Sequence, residues 1–505
     1  MRAVIAAGDR ITAKAAEEII KKGGNAFDAA CAALLASPLA EPALTSVGGG
    51  GFLSTFEEER GVEFYDFFVD VPPNRVENPD FFPIYVDFGS AVQEFHIGSG
   101  SIAIPGVIGG VYRLWMDKGS MPFIDIVSVA AKLAKEGFYL SKTQASLVKL
   151  LEPIFTATKE SREIYAKSGS LIDEKTLFKN EEYGEFLLTF AKEGADIFYK
   201  GEIAESFERF SIENEGNIRK EDLEKYEVKK RDPIVFNFGK YKIFTNPPPS
   251  SGGILIAFTL KLLENRNLGK FGSISHLKHL IEAMKITADF RKDHVNEHLH
   301  SDHLKEILEN EHLMKNFQKS YESRLNLWGN TTHLSIIDKD RNAVSVTTTN
   351  GEGSGYILPN TGIMLNNMLG EEDLNPHGFF KWPPYVRLPS MMSPTMVFEN
   401  NEPKLILGSA GSNRIRSAIV NVILNNLIFN MDLQKSVDEG RVHFENEEVF
   451  IEPGFSKEVI EKIEKFFKVS IFKEKNLFFG GVNAVSGDFD AGSDKRRGAV
   501  TVKII

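Results

Sequence analysis

The chain has 505 residues, which allows roughly three domains at about 100–200 residues each or one large α/β unit. Hydrophobic content of 42% and charged content of 26% are those of a soluble globular protein, and no stretch approaches the ~18 uninterrupted apolar residues of a membrane span. A formal net charge of −11, without a basic stripe to offset it, argues against a nucleic-acid partner.

The N-terminus enters patterned sequence at once and lacks the long apolar stretch of a signal peptide, which predicts a cytoplasmic protein. Residues 11–22 have helical spacing and stop at Gly23-Gly24, after which Asn25 can cap a helix carrying Asp28. The apolar run 29–36, bracketed by Asp28 and Glu41, predicts a buried helix in which Cys31, the sole cysteine, is an inert core residue. Gly48 to Gly51 open a strand over 52–56. Helical patterns dominate 124–192, and a mixed polar pattern continues over 207–227. A strand region over 234–244 leads into Asn246-Pro247-Pro248-Pro249-Ser250-Ser251-Gly252-Gly253, a rigid turn opening a helix, and 275–316 reads as helical and highly charged. From Thr331 the pattern switches to strands, at 334–337, 343–349, 395–398 and 404–407. That change of element type occurs without a Gly/Ser tether, as expected for a break inside one compact fold.

Asn330-Thr331-Thr332-His333 stands at this switch and reads as a self-cleavage site that makes Thr331 a new N-terminus. A threonine hydroxyl is a poor nucleophile alone, and its own α-amine, freed by cleavage, is one known activator. Such an amine has a reference pKa of about 7.7–8.0, near enough to neutrality to act as a general base once its site lowers it somewhat. Taken alone, Thr-Thr-His at a strand start is ordinary β-propensity.

Other segments agree with the catalytic reading: Gly23-Gly24-Asn25-Ala26-Phe27-Asp28-Ala29-Ala30, Glu41-Pro42 followed by Gly48-Gly49-Gly50-Gly51-Phe52, Pro105-Gly106-Val107, Pro248-Pro249-Ser250-Ser251-Gly252-Gly253, Gly362-Ile363 with Leu365-Asn366-Asn367, Met392-Ser393-Pro394-Thr395, Gly408-Ser409-Ala410-Gly411, and Asp494-Lys495-Arg496-Arg497-Gly498-Ala499. In this order they resemble the γ-glutamyltranspeptidase family along nearly the whole chain. The resemblance implies an N-terminal-nucleophile hydrolase of α/β class, an αββα four-layer sandwich. It also implies self-cleavage between Asn330 and Thr331 into a large fragment, 1–330, and a small one, 331–505. The fragments would remain one intertwined heterodimer, with further oligomerisation left open. No metal or cofactor is implied, and the expected partners are a small-molecule or peptide amide and an acceptor, water or an amine, with no nucleic acid and no membrane.

By the same resemblance Thr349 is the second threonine that orients the nucleophile, and Gly411-Ser412 supplies the paired backbone N–H groups that stabilise an oxyanion. The family has two glycines there, so Ser412 is a mild departure, since a side chain disfavours positive φ. The substrate-binding positions are Ser390, Glu371 or Glu372 for the α-amine, Asn350, and Phe68, which takes the place of the family's carboxylate-binding arginine. Met391 likewise replaces the second serine of a pair. Losing the bidentate arginine costs several kcal/mol or more for a buried carboxylate, so γ-glutamyl amides are expected to bind poorly unless another cation, Arg387 or Arg414, substitutes. The stretch 371–390 is shorter than in relatives with a lid, which predicts an open pocket.

The Gly351-Glu352-Gly353-Ser354-Gly355 run lacks the Gly-Lys-Ser/Thr of a phosphate loop and reads as a bend beside the nucleophile. His294, His298, His300, His303 and His312 read as exposed histidines of a charged helix, despite the metal-like spacing of the first two. The sequence therefore predicts a γ-glutamyltranspeptidase-like, autoprocessed threonine amidohydrolase and acyltransferase. Its rivals are an acylase for acyl groups without an α-amino-acid head, such as glutaryl, and an inactive binding protein. The intact Asn330-Thr331-Thr332-His333 and Thr349 argue against the last.

Overall fold

The computed structural model describes residues 2–87, 92–167, 169–301, 304, 306, 308 and 330–505. Two antiparallel sheets form its centre. The seven-stranded sheet runs, edge to edge, Val500–Ile504, Ala3–Ala7, Thr332–Asp338, Ala343–Thr349, Gly50–Glu57, Gly61–Phe67 and Lys229–Arg231. The six-stranded sheet runs Ala491–Gly492, Gly481–Ser486, Glu402–Ala410, Thr395–Glu399, Tyr241–Thr245 and Ile234–Phe238. Val4, Ala6 and Ile337 of the first meet Met396, Ile406 and Val485 of the second in an apolar layer between the sheets. Strands buried on both faces carry few charges, and Thr332–Asp338 and Ala343–Thr349 are buried throughout.

Helices cover both outer faces. Arg10–Lys21 and Ala26–Ala40 lie over the seven-stranded sheet, with Phe123–Glu136 packed against Ala26–Ala40, while Gly252–Leu263 and Ile415–Leu427 lie over the six-stranded one, with Ile274–Phe290 packed against Gly252–Leu263. This is the expected αββα sandwich. The helix Ala26–Ala40 starts with a capping box in which Asn25 and Asp28 satisfy each other's backbone N–H groups. Its Ala26 N–H also donates to Asp338 at 2.9 Å, tying the helix to the end of the strand that begins after Thr331. Cys31 is buried in that helix, with its thiol against the Val111 carbonyl.

Residues on either side of the Asn330–Thr331 bond are interleaved in both sheets. Thr332–Asp338 lies between Ala3–Ala7 and Ala343–Thr349, and Tyr241–Thr245 pairs with Thr395–Glu399. The strand region expected over 234–244 is a hairpin, because Gly239 at φ +58° turns the chain between Ile234–Phe238 and Tyr241–Thr245. The helix expected over 275–316 spans Ile274–Phe290 and then widens into a π-turn, Arg291–Val295. Most of its remainder lies outside the described residues, as do His303 and His312. No helix among the described residues is long and apolar enough to cross a membrane.

Candidate active site

Thr331 sits at the head of the inner strand Thr332–Asp338, 4% exposed, and opens onto a cleft of about 620 Å³ including its mouth. Two glycines bring neighbouring backbone close enough to hold it. A Cβ on Gly49 would lie 2.1 Å from the Thr349 carbonyl oxygen, so only glycine lets the 48–51 segment close against that threonine. A Cβ on Gly408 would lie 2.3 Å from the His333 ring, which fills the space between the sheets. His333 is shared among Thr347 at 2.7 Å and Ser335 at 2.9 Å, and burial lowers its pKa to about 3. It is a neutral packing residue beside the nucleophile rather than its base.

Thr349 ends the strand next to Thr331, and its hydroxyl donates to the carbonyl oxygen of Asn330, the acyl oxygen of the bond expected to break. The same hydroxyl accepts the Gly351 N–H at 3.0 Å, which fixes its orientation. The Thr331 hydroxyl has no hydrogen-bond partner among the described residues. Gly411 at φ +117° and Ser412 at φ +48° form a left-handed turn leading into the helix Ile415–Leu427. Neither turn N–H donates to another group among the described residues, and a helix N-terminus favours negative charge. Ser412 lines the cleft with Thr331. Its side chain tolerates the left-handed backbone while its hydroxyl donates to Asp373 at 2.5 Å.

The head-group side of the cleft is largely apolar. Phe68 lines it and stacks on Phe52 at 5.3 Å, and Met391, Leu374, Pro376 and Pro389 continue the wall. Ser390 also lines it, though its hydroxyl accepts the Met392 N–H at 3.1 Å. Neither arginine considered as a replacement cation reaches the cleft. Arg387 is buried behind Phe68, where it pairs with Asp66 at 3.1 Å and Asp70 at 2.7 Å and donates to the Phe68 and Glu227 carbonyls. Arg414 pairs with Glu445 at 3.2 Å beneath Phe478.

Of the two glutamates, Glu371 lines the cleft and Glu372 is exposed away from it. Asn350, expected among the substrate-binding residues, does not line the cleft, because its amide is turned to the Leu365 carbonyl at 3.3 Å. The 351–355 run is a bend beside the nucleophile, and its Glu352 is packed near Glu371. Burial pushes both carboxyls up in pKa, with added repulsion from Asp373 on each and from Glu352 on Glu371, so the pair retains a proton at neutral pH. Asp373 is also raised by burial, opposed by Arg291 and by the Ser412 bond.

Sequence reasoning did not single out Glu352, Asp373, Arg291 or the chemistry of Glu41. Glu41 is buried beneath the cleavage strand, where it accepts the hydroxyls of Thr332 and, at 2.6 Å, Thr12. It lines a small cavity that also reaches Thr331. Burial, then the charge of Asp9, raises it to about 7. Its position beside a sequence-visible proline was the available signal. Among the described residues no three metal-ligating side chains converge. His298 bonds the His294 carbonyl at 2.8 Å, and His300 packs on Trp382.

Two facing sheets clad by helices, with a threonine heading an inner strand, define the class of N-terminal-nucleophile hydrolases. The same fold is seen in the crystal structure of cephalosporin acylase from Bacillus halodurans, 21% identical, with a TM-score of 0.86 over 99% of this chain and 95% of that one. The Gamma-glutamyltranspeptidase family profile matches residues 12–503, and the chain belongs to that family. It is 29% identical to the glutathione hydrolase proenzyme of Escherichia coli (strain K12), over 91% of this chain and 84% of the relative. It is 30% identical to glutathione hydrolase 2 of Arabidopsis thaliana, over 84% of this chain and 77% of the relative. The activity class is that of a γ-glutamyltranspeptidase-like N-terminal-nucleophile enzyme, amide hydrolysis and acyl transfer.

Proposed function

We propose that the chain matures by its own Thr331 and then uses that residue as an acyl-transfer nucleophile. The observation that carries this is the Thr349 hydroxyl bonded to the Asn330 carbonyl, with the Thr331 hydroxyl unbonded at the cleft. Thr349 polarises the carbonyl, Thr331 Oγ attacks it, and the Asn330 acyl group passes from nitrogen to oxygen. Water then hydrolyses the ester. The acyl shift itself frees the Thr331 α-amine, the departing nitrogen taking the hydroxyl proton; hydrolysis then releases Asn330 as a carboxylate and restores the hydroxyl, whose proton the amine takes in later turnovers. In those turnovers the Gly411 and Ser412 N–H groups receive the oxyanion, an acyl ester forms on Thr331, and water or an amine releases it. Fragments 1–330 and 331–505 stay together because they share both sheets.

Within this chemistry the wall of Phe68 and Met391 favours acyl groups without an α-amino-acid head over γ-glutamyl groups. An apolar surface gives an α-carboxylate no partner for its lost hydration. A denaturing gel with intact masses tests maturation: two fragments divided at Asn330–Thr331 are expected, and Thr331→Ala should stay whole. A wild-type chain that remains single while hydrolysing amides overturns the mechanism.

A further inference from the structure

The cleft lacks a cation on the Phe68 wall and has one on another element. Arg291 stands where the helix Ile274–Phe290 passes into the π-turn Arg291–Val295, and it lines the cleft beside Asn296, Leu299 and Thr331. It is the only lysine or arginine lining the cleft among the described residues. Single π-turns within helices recur at functional sites because they widen the turn and re-aim its side chains.

The guanidinium is held through a neutral amide, with the charge of Asp373 nearby but no direct ion pair among the described residues. Arg291 donates to Asn413 Oδ1 at 2.7 Å, Asn413 Nδ2 donates to Asp373 at 3.3 Å, and Ser412 Oγ closes the chain on the other Asp373 oxygen at 2.5 Å. Arg291 makes no ion pair among the described residues, and Asn413 is the only acceptor its fork engages there. Arg387 shows what a structural arginine looks like in this protein, with two aspartates and several carbonyls around it. An arginine has five N–H donors in a planar fork that matches a carboxylate bidentately. At Arg291 most of that fork is left for a ligand.

We propose that Arg291 is the anion-recognising residue of this cleft, and that the acyl group it selects is the half-amide of a dicarboxylic acid. The distal carboxylate would be reached along the wall of Ser412 and Asn413 instead of the Phe68 wall. An ammonium on the carboxylate-bearing carbon would find both Asp373 oxygens already bonded, and the other acid of the cleft, Glu371, pushed towards its neutral form by burial and by the charge of Glu352. The inference rests on the amidohydrolase reading above and supplies its substrate class.

The test compares glutaryl and pentanoyl p-nitroanilides, which share chain length and differ in the terminal carboxylate, on wild type, Arg291→Met and Arg291→Lys. The wild type should prefer the glutaryl anilide. Arg291→Met should lower the glutaryl-to-pentanoyl ratio of kcat/KM by about tenfold or more, chiefly through the glutaryl KM, and Arg291→Lys should recover part of it. An unchanged ratio in Arg291→Met overturns the proposal. If cleaved wild type hydrolyses neither anilide, the amidohydrolase reading fails instead, and calorimetry with free glutarate decides the inference separately. Binding to wild type that weakens about tenfold in Arg291→Met sustains it, and absent or equal binding overturns it.

Discussion

On one side of the cleft, among the described residues, Thr331 keeps an unbonded hydroxyl, Thr349 donates to the Asn330 carbonyl, and the Gly411-Ser412 turn keeps two unengaged N–H groups nearby. On the other, Phe68 and Met391 present carbon, and the nearest arginine on that side, Arg387, is spent on Asp66 and Asp70. The comparison separates two demands. Making and breaking an acyl bond needs charge stabilisation at one fixed point, which any amide of the class presents. Recognising the acyl group needs partners for whatever charge that group carries, and those change with the substrate. A family can therefore hold one side constant while the other drifts, and the departures here lie almost wholly on the recognition side.

The largest expected effect breaks the conserved side. Thr349→Val keeps the shape and removes the hydroxyl from the Asn330 carbonyl, so self-cleavage should slow by about 10²–10³-fold, as for loss of an oxyanion donor. Folding should be nearly untouched, because the lost bond serves the reacting carbonyl and the Gly351 N–H. Pulse-chase gels for cleavage and single-turnover acylation for the mature enzyme are the measurements. Normal rates in both would remove Thr349 from the machinery.

Beneath that side, Glu41 sharpens the comparison through pH. Its carboxyl is raised from 4.5 to about 7, chiefly by burial. A carboxyl with a higher pKa folded than unfolded binds more protons in the folded state between those values. The stability it lends is therefore complete below 4.5 and is lost as pH rises to about 7. At 1.36 kcal/mol per unit the swing is on the order of 3 kcal/mol. Glu41→Gln, which cannot ionise, should gain on wild type across that window in denaturant titrations. Parallel curves for the two proteins would show that Glu41 does not hold the proton.

The recognition side is broken by Phe68→Arg. Restoring a cation there should raise γ-glutamyl p-nitroanilide turnover by about tenfold per 1.4 kcal/mol recovered. Loss of the Phe52 stack should cost about 0.5–1.5 kcal/mol of stability. Efficient wild-type turnover of that anilide with a low KM would instead mean that the apolar wall does not exclude the head group.

The sequence disclosed the conserved side better than the variable one, for a physical reason. Thr331, Thr349 and the glycine segments are local signals: a strand start, a strand end 18 residues later, a turn that needs positive φ. The commitment of Arg387 depends on Asp66, 321 residues away, and no local pattern announces it. Arg291 lies inside the stretch 275–316, which reads only as a charged helix, because the π-turn that aims it has no sequence mark of its own. Asn350 is turned from the cleft that its neighbour Thr349 reaches, because successive side chains of an extended chain alternate in direction. The edge strand Val500–Ile504 and its neighbour Ala3–Ala7 were likewise not predicted, since each is short and they pair with each other from opposite ends of the chain.

Ser412 gives the smallest effect and the finest discrimination, because it is the one departure on the conserved side. Its φ of +48° costs a non-glycine residue about 1 kcal/mol or more, which Ser412→Gly would return. The same substitution removes the hydroxyl bond to Asp373, and a hydrogen bond to a charged group contributes about 1.5–3 kcal/mol. The balance is a net destabilisation of about 1 kcal/mol. Because the N–H of residue 412 survives, the acylation rate should change little beside the Thr349→Val effect. A variant more stable than wild type by equilibrium unfolding would show that the Asp373 bond does not offset the backbone strain. A slowing comparable to Thr349→Val would show instead that the chain from Ser412 through Asp373 to Asn413 positions the oxyanion donor, joining the two sides of the cleft into one device.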